Sequence, residues 1–571
     1  MLVVHGIGSQ RARETVRGVV DAAWLQDAND PGSADPPRQV WTHPEYSGVD
    51  IDLSVTTTSG LSVSTPGGYQ RRSIDFHELY WAHLMSETRA VAVLLWLFDL
   101  VRKGPRLKPG MGALWWVSTV FLCTVLASLV LIVLHLISRM ASLDGYNHVL
   151  ALAPLFALFV LSASALIAAL VSTAWRLFVF LLLATIAPLL AFWFGIEFES
   201  ATRLYATLYL APVLSVLVAW VAMGSWGALV MALTFAVASA SVPFYTWVRA
   251  DANPLAEWGA WSLAESWSAV VACVMIILYF AFNALFLQSF LGDAARYFRN
   301  APGNVAVRRE IRKQAVDTLD ALHASGKYDR IIVVAHSLGT VVAYDMLRAY
   351  FSRVCKNLPD PAALGPEIDA IDGLIVKPDH AHEQKLLLRN GAREIIRSIA
   401  TVRPTPGAPA RTTKWLVTDF VTLGSALTHA HYLMCNGDTH AELLKDFDRR
   451  VGEREYPTCP PVRRDDDGLL LFGNPATKKR GFHHGALFGL TRWTNLYFPL
   501  RQLLWGDAIG GPLAPIFGPY IEDIEVSTYA PPRPAFFTHT AYWSLKWPGG
   551  RKAPQIQALQ AAINLEDKTA V

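Results

Sequence analysis

Arg330-Ile-Ile-Val-Val-Ala-His-Ser-Leu-Gly-Thr-Val-Val-Ala-Tyr-Asp-Met-Leu347 carries the reading of the fold. Its first half is a run of β-branched residues with no polar alternation, the pattern of a strand buried on both faces (residues 330–335). Its second half is an apolar helix, residues 338–350. Between them stands Ala335-His336-Ser337-Leu338-Gly339. A strand that turns at once into a helix needs small residues two before and two after the turning point, because the backbones approach closely there. The geometry lifts the Ser337 hydroxyl above the sheet, at a helix N-terminus whose dipole favours developing negative charge. This is the context of a G-x-S-x-G nucleophile elbow, with Ala335 in place of the first glycine. The competing reading is a serine that only caps the helix.

Working towards the N-terminus, Val3-Val-His5-Gly6-Ile7-Gly8 reads as a second short buried strand (residues 2–5) closed by a glycine turn. A hydrolase needs a backbone N–H opposite its elbow to hold an oxyanion, and a His-Gly turn after an early strand supplies one. The candidate donors are the amides of Ile7 and Leu338. Residues 10–26 read as an amphipathic helix, and residues 51–55 and 74–81 as strands. The opening apolar run is too short for a secretory signal.

Towards the C-terminus, residues 414–423, 494–498 and 521–526 read as strands. Strands alternating with helices imply a largely parallel sheet. A nucleophilic serine needs a base and an orienting acid, in chain order Ser, acid, His. Among sixteen histidines, His539 follows the last expected strand. His429 and His431 follow the turn Leu423-Gly-Ser-Ala near the pocket, and His483 and His484 read as solvated in a Lys/Arg/Gly-rich loop. Asp507 is the candidate acid, with Asp419 and Asp523 as alternatives.

The middle of the chain is different. Of 571 residues, 52% are hydrophobic and only 17% charged, below the usual quarter. The depletion lies between about residues 90 and 290. Residues 114–137, 149–171, 177–195, 204–247 and 267–290 are apolar runs long enough to cross a bilayer, about six spans in all. Lys and Arg cluster outside them, at Arg102–Lys108 and Arg296–Lys313, which places both flanks on the cytoplasmic side. The bland alternative is a set of buried helices. The expectation is an α/β-hydrolase sheet interrupted by an inserted α-helical transmembrane bundle: residues 1–90 and 296–571 build the sheet, residues 91–295 the bundle. Localisation is then multi-pass in a membrane.

Other classes drop out. A net charge of +3 is too small to argue for nucleic acid. Five cysteines without paired spacing give neither a disulfide framework nor a zinc site. There is no metal-binding motif and no phosphate loop, so no cofactor or metal is expected.

At the two glycine turns the chain resembles the α/β-hydrolase superfamily. Val-Val-His-Gly-Ile-Gly followed by Ala-His-Ser-Leu-Gly-Thr is similar to lipid-acting members such as DDHD-domain phospholipases and other intracellular lipases. Trp493-Thr-Asn-Leu-Tyr497, Asp507 and Phe537-Thr-His539 match more loosely. The chain departs from the pattern at Ala335 and in an extra stretch, residues 498–506, between strand and acid. The resemblance implies a serine hydrolase with Ser337 as nucleophile, His539 as base and Asp507 as orienting acid. Its partners would be a lipid or other ester substrate and the lipid bilayer. The rivals are an inactive hydrolase-like scaffold or transport-associated protein, and an acyltransferase using the same three residues. Oligomeric state is not legible.

Overall fold

A computed structural model describes residues 1–6, 12–24, 38–44, 54–58, 61–65, 68–85, 297, 302–361, 364–377, 381–401, 414–437, 439–464, 468–473, 480–500, 506–507, 509–526, 538–545 and 553–565. The chain divides into two units, and all of these residues belong to the one formed by Met1–Thr88 and Gly292–Val571.

The strands of this unit are β1 (Leu2–Val4), β2 (Val40–Pro44), β3 (Ser54–Thr58), β4 (Leu61–Thr65), β5 (Gly68–Arg72), β6 (Asp75–Leu79), β7 (Ile331–His336), β8 (Val417–Leu423), β9 (Leu471–Gly473), β10 (Arg480–Phe482), β11 (Arg492–Tyr497) and β12 (Glu522–Glu525). Eight of them form one sheet in the order β12-β11-β8-β7-β1-β6-β3-β2. From β12 to β6 every neighbouring pair is parallel, while β3 joins β6 and β2 joins β3 in antiparallel fashion. β4–β5 and β9–β10 are separate hairpins. The main helices are α1 (Glu14–Ala23), α2 (Pro302–Ala324), α3 (Gly339–Val354), α4 (Pro366–Asp372), α5 (Ala381–Thr401), α6 (His440–Gly452) and α7 (Pro554–Ile563).

The Ile-Ile-Val-Val run explains why β7 sits at the centre. All six of its residues are buried, which only a strand covered on both faces can offer. Each fully buried Val or Ile contributes about 1.5–3 kcal/mol. On one face Val3, Ile332, Val334, Val421 and Leu496 pack against Val16, Val19 and Val20 of α1 and Ile556, Leu559 and Ile563 of α7. On α3, the buried carboxylate of Asp345 gathers the Tyr297 hydroxyl (2.8 Å) and the guanidiniums of Arg312 and Arg348. At the sheet edge, most of β2 is exposed, and the strand ends in Pro44, which blunts further pairing.

The chain builds the sheet outward in both directions from one line. β1 leads towards β6, whereas β7 leads towards β8, β11 and β12. The boundary between β1 and β7 is a topological switch point, where the loops beyond the strands' C-terminal ends diverge and leave a crevice.

Several expectations need correction. Among the described residues, no helix is long and apolar enough to cross a membrane. This overturns the inserted transmembrane bundle as part of the fold class, and with it the multi-pass membrane localisation. The apolar runs between residues 114 and 290 lie outside the described residues. Such a run measures a demand for burial and does not say whether lipid or protein meets it. The longest described helix, α2, carries Arg308, Arg309, Glu310, Arg312 and Lys313, so its length alone gives no apolar span. What remains is an α/β fold with a mixed sheet. The Pro- and Asp-rich residues 356–382 contain α4, which starts on a proline at its N-terminal turn.

Candidate active site

Ser337 follows β7 and has φ 54°, in the left-handed region that non-glycine residues rarely occupy. The strain is held from both sides. Its own N–H donates to Leu423 O of β8 (3.0 Å), and its carbonyl accepts from Thr340 Oγ1 (2.6 Å), which in turn accepts from Ser425 Oγ (2.8 Å). Glycine at 339 is a packing requirement, since a Cβ there would lie 2.1 Å from His5 O. Helix α3 therefore starts directly against the end of β1. Ala335 is fully buried inside β7, and its methyl is accommodated where the usual pattern has glycine.

His539 and Asp507 arrive from the last part of the chain. Ser337 Oγ lies 2.8 Å from His539 Nε2. His539 Nδ1 lies 2.9 Å from both oxygens of Asp507. All three side chains are buried. Burial pushes the Asp507 carboxyl up, but the adjacent imidazole and the hydrogen bonds from His539, Gly510 N–H and Tyr542 bring it well below the usual carboxylate range. An ionised carboxylate only accepts, so Nδ1 carries the proton and Nε2 is left to accept from the serine.

Asp507 is tightly dressed. Oδ1 accepts from Ile509 N–H (2.8 Å) and Gly510 N–H (2.9 Å), and Oδ2 from the Tyr542 hydroxyl (2.7 Å). The rival acids are committed elsewhere. Asp523 accepts from the amides of Leu513 and Ala514 and from Asn495 Nδ2 (2.7 Å). It thus anchors the segment that follows Asp507. Asp419 lies near the start of β8 between Arg330 and Arg492. Burial raises it, but the two guanidiniums hold it below its ordinary range.

The His-Gly turn lies against Ser337. A Cβ on Gly6 would sit 2.9 Å from Ser337 Cβ and 2.8 Å from His336 Nδ1. His5 Nε2 accepts from Trp81 N–H (3.0 Å), which leaves Nδ1–H to donate to Gly6 O (2.7 Å). The ring stacks on Trp81 at 5.1 Å, and burial pushes its pKa down to about 4. Ile7 and Gly8, expected as the oxyanion donor and second turn glycine, lie outside the described residues. Leu338, the other expected donor, heads α3 as its N-cap residue.

His336 is a second histidine in the site. Its Nε2–H donates to the backbone carbonyl of His539 (2.8 Å), and its ring lies 4.7 Å from the His539 ring and edge-on to Trp543. Burial, then the neighbouring His539, push its pKa down to about 3. It stays neutral.

Two other histidines singled out from the sequence make contacts of their own. His483, expected to be solvated, is buried, and its Nε2–H donates to Leu469 O (2.8 Å). His431 packs edge-on to Phe447. Tyr542 and Gly424 were not singled out from the sequence. The spacing His539-Thr-Ala-Tyr542 was the available signal for the tyrosine, and the glycine directly after strand 414–423 for Gly424. No His/Cys/Asp/Glu cluster suited to a metal occurs among the described residues.

Compared with family models, with curated proteins and with solved structures, the chain finds no match in any of the three.

Proposed function

We propose that this chain is a serine hydrolase of the α/β-hydrolase type that cleaves carboxylic esters through an acyl-enzyme. The observation that carries the reading is the unbroken line Ser337 Oγ, His539, Asp507, at 2.8 and 2.9 Å, beside the switch point of a mostly parallel sheet. A serine that only caps a helix has no need of a left-handed backbone or a buried imidazole–carboxylate pair aimed at its hydroxyl.

In the proposed reaction Ser337 Oγ attacks the acyl carbon while its proton passes to His539 Nε2. The imidazolium is stabilised by Asp507, and the carbonyl oxygen becomes an oxyanion facing the Leu338 amide at the start of α3. His539 returns the proton to the departing alkoxide. Water then attacks the acyl-serine, giving its proton to His539; the acyl–Oγ bond breaks, His539 passes that proton to Ser337 Oγ, and the acid product leaves. The reading uses no metal or cofactor.

Labelling with a fluorophosphonate tests it. Covalent modification that disappears in Ser337→Ala supports the reading, and conversion of p-nitrophenyl esters separates hydrolysis from transfer to another acceptor. A wild-type protein that neither labels nor hydrolyses any ester returns the chain to the inactive-scaffold reading.

A further inference from the structure

We propose that Tyr542 is a positioning residue for the triad acid, holding Asp507 Oδ2 in place at the far end of the stretch between β11 and the acid; this rests on the serine-hydrolase reading above. The stretch, residues 498–506, is where the chain departs from the simple strand-then-acid pattern.

The Tyr542 hydroxyl spans that gap. It accepts from Phe498 N–H (3.2 Å), where the chain leaves β11, and lies 2.7 Å from Asp507 Oδ2, where the excursion ends. An amide N–H can only donate and an ionised carboxylate can only accept, so the phenol proton points at Asp507. The feet of the excursion are also close. A Cβ on Gly506 would lie 2.1 Å from Pro499 O, and Gly506 O accepts from Thr538 N–H (3.0 Å), next to the catalytic histidine. Tyr542 is fully buried, with its ring 4.8 Å from Phe498. The titratable groups facing it are Asp507 beyond β11, His539 on its own segment and His336 at the end of β7. Burial and the neighbouring carboxylate push the phenol well above its usual range, so it remains a donor.

Donation by the phenol shares the negative charge on Oδ2. Without it, more charge faces the imidazole and the imidazolium is favoured over the neutral ring. Two variants separate this from packing. Tyr542→Phe keeps the ring and deletes the hydroxyl, and 3-fluorotyrosine placed at 542 strengthens the donor. The measurements are the acid limb of kcat/KM for a p-nitrophenyl ester and the His539 imidazole titration by nitrogen NMR. Tyr542→Phe is expected to move both to higher pH and lower kcat about tenfold, the scale of one hydrogen bond to a charged group, with KM unchanged. The fluorinated protein moves both to lower pH. An unmoved acid limb and titration in both proteins overturns the proposal, whatever stability is lost. Absence of Ser337 labelling in the wild type removes the hydrolase reading instead, and the NMR titration alone then decides the tyrosine–carboxylate–imidazole coupling.

Discussion

Replacing Gly424 by alanine puts one methyl group between Asp507 and His539. Gly424 follows β8 with φ +53°, and its added Cβ would lie 2.7 Å from Asp507 Oδ2, 2.7 Å from Tyr542 Cε2 and 3.1 Å from His539 Nδ1. An ordinary carbon–oxygen contact begins near 3.4 Å, so the carboxylate must retreat by roughly 0.7 Å, close to the 1 Å misplacement that can lower a rate about a hundredfold. The left-handed backbone adds about 1–2 kcal/mol of strain, and overpacking of this buried pocket about 1–3 kcal/mol. Gly326 supplies the control. It shares the backbone conformation, at φ +64°, but a Cβ there meets nothing within 4 Å. Gly424→Ala and Gly326→Ala should therefore both lower the melting temperature, while only Gly424→Ala slows fluorophosphonate labelling, by about two orders of magnitude. Equal labelling rates in the two variants would refute the packing argument for the acid–base pair.

Asp507→Asn should reduce kcat by about ten-thousand-fold by favouring the wrong imidazole tautomer, as in the serine-protease case. Asp523→Asn keeps an acceptor for one of the Leu513 and Ala514 amides, which bond to different oxygens of the carboxylate, and should retain most of the activity; a dead Asp523→Asn with an active Asp507→Asn reverses the assignment. Asp419→Asn leaves Arg330 and Arg492 without their buried carboxylate and should cost about 3–5 kcal/mol in denaturant unfolding with the chemistry intact; wild-type stability would show that the pair contributes nothing net. For pH, His5 and His336 are held neutral in the fold, with pKa values of about 4 and about 3 against 6.5 unfolded. Depressed values contribute stability that is present above pH 6.5 and lost as pH falls through 4 and 3, so urea midpoints should drop over that window, and less steeply in His5→Gln. Glu78 works in the opposite sense. Burial raises it to about 7, so its contribution is lost as pH rises from 4.5 through 7, and Glu78→Gln should flatten the curve there.

The central strands, the elbow and the chain order of the three site residues were legible because each leaves a local mark. Ile331–Val334 can only be a strand buried on both faces, and Ser337 stands between that strand and a helix. Residues 10–26 gave the amphipathic stripe of α1, although the helix itself is shorter. The edge strand β2 was not legible, since Val40–Pro44 is mostly exposed and carries no alternation. Asp507 was separable from Asp419 and Asp523 only in three dimensions. Asp419 lies near the N-terminal end of its strand, away from the serine, and Asp523 is spent on backbone amides. Tyr542 escaped for the same reason. Its significance lies in what its hydroxyl reaches, two segments about 40 residues upstream, and spacing along the chain does not encode that.

The pairing of β1 with β7 also bears on how the chain reaches this state. Leu2 registers with Val333, so the middle of the sheet closes a loop of roughly 330 residues. The entropy of closure grows only logarithmically, adding about 2 kcal/mol over a 30-residue crossover, and the finished fold tolerates it. The rate is more exposed, because non-local pairing slows folding. At about 5–20 residues per second of synthesis, the first strand waits tens of seconds for its partner. During that interval one edge of Leu2–Val4, a wholly buried strand in the final sheet, has no neighbour. Production of this protein should therefore respond to whatever shields that edge, such as chaperone supply or slower growth at low temperature, more than to small gains in the stability of the folded molecule.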